Sequence, residues 1–178
     1  SDREVSVRIF DIEGLELAVA ARQIDFVLAS PGHYLLWEQR YGLSGPLATR
    51  ISLFDGQQIR AVGGVIVARA DNTDINSLDD LVGRKIAAVH RTSIGGYTMQ
   101  VHEMQLAGLP RPDPQDVLEV RLSHDRAVEA VLSGEAEVGF LRAGLLEQMI
   151  AEGKVPPGSV RVINAQNMPD LPFQVSTD

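Results

Sequence analysis

Three short segments concentrate hydroxyl, imidazole and glycine groups where a predicted strand ends and a predicted helix begins. They are Ser30-Pro31-Gly32-His33-Tyr34, Arg91-Thr92-Ser93-Ile94-Gly95-Gly96-Tyr97 and Ser123-His124-Asp125. A helix start presents backbone N–H groups without intrahelical partners and the positive end of the helix dipole, so it suits an anion or a carbonyl oxygen. Because the same chemistry recurs at three turns, the pattern favours a binding site for a small polar ligand.

Seven residues are the candidate ligand contacts, and they share a polar side chain at or near a strand end: Ser30, His33, Tyr34, Thr92, Ser93, His124 and Arg142. Arg142 could pair with a ligand carboxylate or sulfonate, or equally with Glu147. The others also have ordinary roles. The serines could simply cap helices, the histidines could lie on the surface, and the tyrosine could be a packing residue.

An enzymatic alternative is a hydrolase with Ser93 as nucleophile and His33 or His124 as base. The segment around Ser93 lacks the first glycine of a G-x-S-x-G elbow. The four histidines lack the H-E-x-x-H spacing of zinc hydrolases, and no phosphate-loop or dinucleotide fingerprint occurs. We therefore expect no catalytic residue, no metal and no cofactor.

The composition is that of an ordinary globular protein, with 44% hydrophobic and 22% charged residues. A net charge of −8 with scattered Lys and Arg argues against a nucleic-acid partner and against a basic membrane-binding patch. The absence of cysteine excludes thiolate metal sites, thiol nucleophiles and disulfides. The apolar runs are too short to span a bilayer.

The elements that must position the three turns follow an α/β pattern. Residues 5–10 alternate apolar and polar side chains, which predicts a strand, and residues 15–22 have helical spacing. Residues 24–28 predict a second strand, and Ser30-Pro31 then opens a second helix. This order is typical of a parallel α/β layer.

The rest of the chain continues the alternation. We predict strands over residues 59–70, 85–90, 117–121, 137–141 and 160–163. We predict helices over residues 76–83, 97–107, 124–132 and 145–151. Gly63-Gly64 allows the first of these strands to bend.

Several segments resemble one family. Residues 75–87 (INSLDDLVGRKIA) resemble the stretch that opens the second lobe of type II periplasmic binding proteins. Residues 23–34 (QIDFVLASPGHY) narrow the resemblance to the phosphonate-binding-protein-like group, whose Ser/Thr-Gly ligand turn matches the segment from Thr92 to Tyr97. Residues 139–147 (GFLRAGLLE) and 171–177 (LPFQVST) resemble the versions of this domain at the extracytoplasmic end of sensor histidine kinases.

The resemblance implies an α/β, two-lobed, type II periplasmic-binding-protein fold, with mixed, mostly parallel sheets flanked by helices and a ligand cleft between the lobes. Lobe one would comprise residues 1–66 and 163–178, and lobe two residues 67–162. The family has a further strand and helix before the segment matching residue 5 and a helical stretch after residue 177. We therefore expect lobe one to be incomplete at both ends.

The resemblance also assigns the candidate contacts to lobes. Lobe one would contribute Ser30, His33 and Tyr34; lobe two would contribute Thr92, Ser93 and His124, together with Arg142. Transporter relatives often carry an acidic residue at the position of Glu137, and Arg142 nearby would change the ligand preference.

The function that this implies is an extracytoplasmic sensor domain of a two-component histidine kinase, which binds a small anionic solute and is not itself an enzyme. Its partners would be that solute and the membrane-anchored kinase portion of the same protein, and its location periplasmic and tethered to the inner membrane. An oligomer is compatible with the sequence, because apolar strand residues could form a dimer surface. The alternative is a free solute-binding protein of a phosphonate-type ABC transporter.

Overall fold

The computed structural model describes residues 4–54, 57–59, 62–121, 123–164 and 174–175. They form a mixed α/β fold with a mixed sheet flanked by helices, which confirms the predicted fold class. The chain divides into two compact units, Ser1–Leu47 and Ala48–Asp178. The predicted lobe boundaries at residues 66/67 and 162/163 stay a prediction.

Unit one contains two helices, α1 (Ile12–Ala20) and α2 (Pro31–Tyr41). Asp11 caps α1 because its side chain accepts a hydrogen bond from the Gly14 N–H at 2.7 Å. Proline occupies the first turn of α2, as the Ser30-Pro31 pair predicts, and Gly42 ends the helix in the left-handed conformation. Both predicted helices are therefore present.

The two strands predicted in unit one are wrong. Residues 5–10 and 24–28 form no strand. The alternation over residues 5–10 is real, but it leaves Val5, Val7 and Ile9 exposed. A strand needs a neighbour to complete its hydrogen bonds, and no described residue pairs with either segment.

Unit two contains the remaining strands. A hairpin joins β1 (Ser52–Phe54) to β2 (Gln57–Ile59). The six-stranded sheet comprises β3 (Val62–Arg69), β4 (Ile86–Ala88), β5 (Val117–Glu119), β6 (Val138–Arg142), β7 (Val160–Val162) and β8 (Gln174–Val175). Its order is β5-β4-β6-β3-β7, with β8 also paired to β3.

Strand direction decides where side chains can meet. β4 is parallel to both β5 and β6, whereas β3 is antiparallel to β6, β7 and β8. All strands of this sheet except β3 therefore run the same way. The carboxyl ends of β4, β5 and β6 consequently lie at one edge, which is where open α/β sheets bind ligands.

Helices cover both faces of this sheet. They are α3 (Met99–Leu106), α4 (His124–Ser133) and α5 (Leu145–Ala151). Shorter helical segments are a 3₁₀ turn at Leu78–Leu81, a π-helical turn at Ile94–Thr98 and a 3₁₀ turn at Pro114–Asp116. The π-helical turn leads directly into α3, so the helix predicted over residues 97–107 begins earlier than its sequence pattern indicates.

The central strand β3 explains the layered core. Residues 63–68 are all buried, because one face packs against α4 and α5 and the other against α3. Val67 belongs to the first of these cores and Ile66 to the second. A strand covered on both faces reads as a continuous apolar run, as residues 59–70 do.

Of residues 171–177, the structure describes Gln174–Val175 alone, and the rest of that sensor-like segment lies outside the described residues. None of the helices in the described ranges combines the length and apolar character needed to cross a bilayer.

Candidate ligand-binding site

Two of the three predicted polar turns, and Arg142, lie at the carboxyl edge of the unit-two sheet. Thr92 and Ser93 follow β4, His124 follows β5 as the first residue of α4, and Arg142 is the last residue of β6. Because these three strands are parallel, their carboxyl ends carry the candidate residues to the same edge.

Two glycines show how closely these segments approach. A methyl group on Gly96 would lie 2.6 Å from His124 Cε1 and 3.0 Å from Ser93 Oγ. A methyl group on Gly95 would lie 3.2 Å from Arg142 Cβ. We call Ser93, Gly95, Gly96, His124 and Arg142 the sheet-edge cluster. Gly95 and Gly96 thus lie directly against other side chains of the cluster.

Ser93 begins the π-helical turn. Its Oγ accepts a hydrogen bond from the Gly96 N–H at 3.2 Å, which is the cap predicted as its ordinary role. A hydroxyl that accepts one hydrogen bond still has its own proton to donate. Ser93 can therefore cap the turn and donate to an oxygen of a ligand at the same time.

His124 is half-buried, and its Nδ1 is buried without a hydrogen-bond partner among the described residues. Burial, followed by the positive charge of Arg142, lowers the pKa of His124 to about 4, and the opposing charge of Asp125 compensates only in part. The imidazole is therefore neutral at neutral pH. It can donate one hydrogen bond to a ligand but supplies no counter-charge.

Arg142 supplies the charge of the cluster. Its side chain is exposed and donates from Nη2 to Gln148 Oε1 at 2.9 Å, rather than pairing with Glu147. Within the described ranges it forms no ion pair. A guanidinium has five N–H donors in a planar fork, so most of its donors are available to an anion.

Thr92 is held by a residue that sequence reasoning did not select. His90 Nδ1 lies 2.7 Å from Thr92 Oγ1 and accepts from the Thr92 N–H at 3.2 Å. The other ring nitrogen of His90 lies 3.7 Å from Glu119, to which Arg91 donates at 2.6 Å. The loop after β4 is thus fastened to the end of β5.

Glu119 is the anchor of that loop. Burial disfavours its charged form, but the hydrogen bond from Arg91 and the charges of His90 and Arg91 outweigh burial and hold the pKa of Glu119 below its usual value. The sequence signal for this role is weak. It consists of a carboxylate at the end of one predicted strand and two basic residues at the end of another, a pattern that many unrelated positions share.

The remaining candidates lie in unit one. Ser30 Oγ lies 2.7 Å from His33 Nδ1, and the His33 ring packs against Trp37 with centroids 5.4 Å apart. Tyr34 Oη lies 3.1 Å from Glu38 Oε1 and 3.3 Å from the Ser44 carbonyl oxygen, to either of which it can donate its one proton. Their predicted contact with ligand stays a prediction.

The hydrolase alternative finds no support in the geometry. Among the described residues, Ser93 Oγ accepts from the Gly96 N–H and forms no hydrogen bond with a histidine ring, and His124 Nδ1 has no partner. A serine nucleophile requires a hydrogen-bonded base.

Glu137 lies at the opposite, amino end of β6 and pairs with Arg84 at 2.8 Å, so it is not part of the cluster.

Two curated relatives are similar to most of the chain. The phosphate-import protein PhnD of Mycolicibacterium smegmatis is 23% identical over 175 residues, 91% of this chain and 52% of that protein. The tetrathionate sensor histidine kinase TtrS of Salmonella typhimurium is 27% identical over 160 residues, 84% of this chain and 25% of that protein. The chain thus spans about half the length of the first relative and a quarter of the second.

A solved structure shows the same fold. XAC2383 from Xanthomonas citri, bound to chloride ion, superposes with a TM-score of 0.64 at 21% identity, covering 86% of this chain and 56% of that one. The model of one family, described as the ABC transporter, phosphonate, periplasmic substrate-binding protein, matches residues 1–178. The chain belongs to this phosphonate-type family of periplasmic binding domains.

Proposed function

We propose that this domain binds a small oxyanion at the sheet-edge cluster. The observation that carries the proposal is the convergence of Ser93, His124 and Arg142 on one edge of the sheet, with Arg142 forming no ion pair among the described residues. The guanidinium supplies charge, while the hydroxyl, the imidazole and the N–H groups at the start of α4 supply directional donors.

The charge balance favours an anion over a cation. Asp125 is the carboxylate adjacent to the cluster, and its Oδ2 lies 3.6 Å from Lys154 Nζ. A cationic ligand would have to bind beside Arg142 without a free carboxylate to pair with. The names of both curated relatives refer to oxyanions, phosphate and tetrathionate.

The role that we propose for this binding is sensing. The similarity to TtrS extends over 84% of the chain, and residues 139–147, which include Arg142, resemble sensor versions of the domain. Binding would bias the attached, membrane-tethered kinase through contacts that differ between two conformational states.

The second candidate function is solute delivery to a transporter, which the similarity to PhnD supports. A transmembrane helix and a kinase domain in the full-length sequence would establish the sensor role.

Binding is tested by thermal-shift titration with phosphate, sulfate, thiosulfate and tetrathionate. An anion at a hundred times its dissociation constant stabilises the folded state by about 2.7 kcal/mol. We expect Arg142→Gln to raise the dissociation constant of the tightest-binding anion about ten- to a hundredfold, because a charged hydrogen bond contributes about 1.5–3 kcal/mol.

Arg126→Gln is the matched control. It removes the same charge from an exposed position on α4, where Arg126 pairs with Glu129 at 2.9 Å. Equal weakening by both variants would show that only the overall charge of the domain matters, and the proposed site would then be wrong. Unchanged affinity in Arg142→Gln would have the same meaning.

A further inference from the structure

Gln100 is a polar residue in α3 whose side chain is completely buried. Its amide nitrogen lies 2.8 Å from the Gly95 carbonyl, 2.8 Å from the Leu141 carbonyl and 3.2 Å from the Val65 carbonyl. One amide group therefore bonds three separate segments of the chain.

Two of those segments carry the sheet-edge cluster. Gly95 is part of the turn that begins at Ser93, and Leu141 directly precedes Arg142. The third segment, β3, lies beside β6 in the sheet. The amide thus bridges the turn that begins at Ser93 and the end of β6 that carries Arg142.

The amide occupies this place at a cost. Its Oε1 is buried with no hydrogen-bond donor among the described residues, which an apolar side chain of similar length would avoid. The backbone of β3 also makes room for it, since a methyl group on Gly64 would lie 2.7 Å from Gln100 Nε2. The amide oxygen is thus left without a donor while the amide nitrogen bonds carbonyl groups of three segments.

We infer that Gln100 is a positioning residue of the anion site, which fixes the Ser93 turn against Arg142 and His124 without touching the ligand. That the cluster binds an anion rests on the proposed function. The geometric claim does not, because it depends on the contact of Gly96, in the same turn, with the His124 ring in the structure.

The test follows the titration of the His124 imidazole by NMR in the free protein. In Gln100→Met, the turn is released and the ring gains solvent, so its pKa should rise from about 4 by roughly one pH unit or more toward the value of a solvated histidine. The charged neighbours of the ring, Arg142 and Asp125, are unchanged in this variant.

Gly64→Ala is a second variant, which keeps Gln100 but displaces its amide, and it should shift the His124 titration in the same direction. Val101→Ala is the control, because it removes buried methyl groups from the same helix and leaves the amide in place. An unchanged His124 titration in both amide variants, or an equal shift in Val101→Ala, would overturn the inference.

Titrating tetrathionate and phosphate into the same variants separates the two claims. We expect Gln100→Met to raise the dissociation constant of the tighter-binding anion about tenfold, which is the equivalent of one hydrogen bond. If the His124 titration moves as expected but neither anion binds the unaltered domain, the positioning role stands and the proposed function fails. If anions bind but the titration does not move, the reverse holds.

Discussion

Gly96→Ala should abolish measurable anion binding and lower the free energy of unfolding by about 1–3 kcal/mol, as overpacking of a filled site does. The added methyl group would lie 2.6 Å from His124 Cε1, 2.9 Å from Val89 Cγ1 and 3.0 Å from Ser93 Oγ. These three atoms belong to different side chains, so no single side-chain rotation relieves all of the contacts. The turn must move away from α4, which separates Ser93 from His124.

Gly45→Ala is the matched control, because its methyl group would meet nothing within 4 Å and Gly45 does not have a positive φ. The same change of residue type should therefore leave binding and stability nearly unchanged. Unfolding is best followed by far-UV circular dichroism, since the single tryptophan, Trp37, lies in unit one. Full anion affinity in Gly96→Ala would show that the turn and α4 need not be in contact for binding.

The second large effect is a loss of stability in mild acid that depends on His124. Burial and the charge of Arg142 lower the pKa of the folded-state imidazole from 6.5 to about 4. Between these values the unfolded chain binds a proton that the folded chain does not, so stability falls as the pH falls from 6.5 towards 4. The shift corresponds to a loss of about 3 kcal/mol at most.

The contribution of His124 is isolated by comparing variants. Urea unfolding at several pH values from neutral down to the folded-state pKa should give a flatter pH dependence for His124→Gln than for the unaltered protein. His102→Gln, which removes an exposed histidine from α3, is measured alongside as the comparison variant. Carboxylates such as Glu119 also lose stabilising interactions in acid, but they do so equally in all three proteins. Identical curves for His124→Gln and the unaltered protein would show that the ring is not buried in its neutral form.

In unit two the sequence predicts the central strands β3, β4 and β6 well because they are buried, and the helices α4 and α5 because their termini are clear. Leu145–Ala151 is predicted to the residue, and α4 extends only one residue beyond the predicted range 124–132. In such elements, local propensity and burial agree, so the sequence pattern is sufficient.

Unit one shows where pattern reasoning fails. Alternation over residues 5–10 predicts a strand, yet a strand depends on a partner that may be distant in the sequence. The structure leaves Ile9 96% exposed, so the apolar positions of that segment do not face a core of the described residues. The periodicity identifies which residues could face a core, but not which segment would supply it.

The sequence identifies candidate ligand contacts by their residue type, but it does not identify the residues that hold those contacts in place. Serine and histidine at helix starts carry a local signal, so Ser93 and His124 could be selected. Gln100 carries none, because a glutamine in a helix is usually exposed. Its role arises from three carbonyl groups that are distant in sequence, and only the folded chain brings them together.

The most direct test of anion binding at the sheet-edge cluster is a two-dimensional ¹H–¹⁵N NMR titration of the domain with phosphate and tetrathionate. We predict that the largest chemical-shift changes occur at the backbone amides of Ser93 to Gly96, of His124 and Asp125, and at the Arg142 side chain, and that they saturate. Changes that centre instead on the groove lined by Arg84, Arg111 and Met104, or the absence of any saturable change with either anion, would contradict the proposed site.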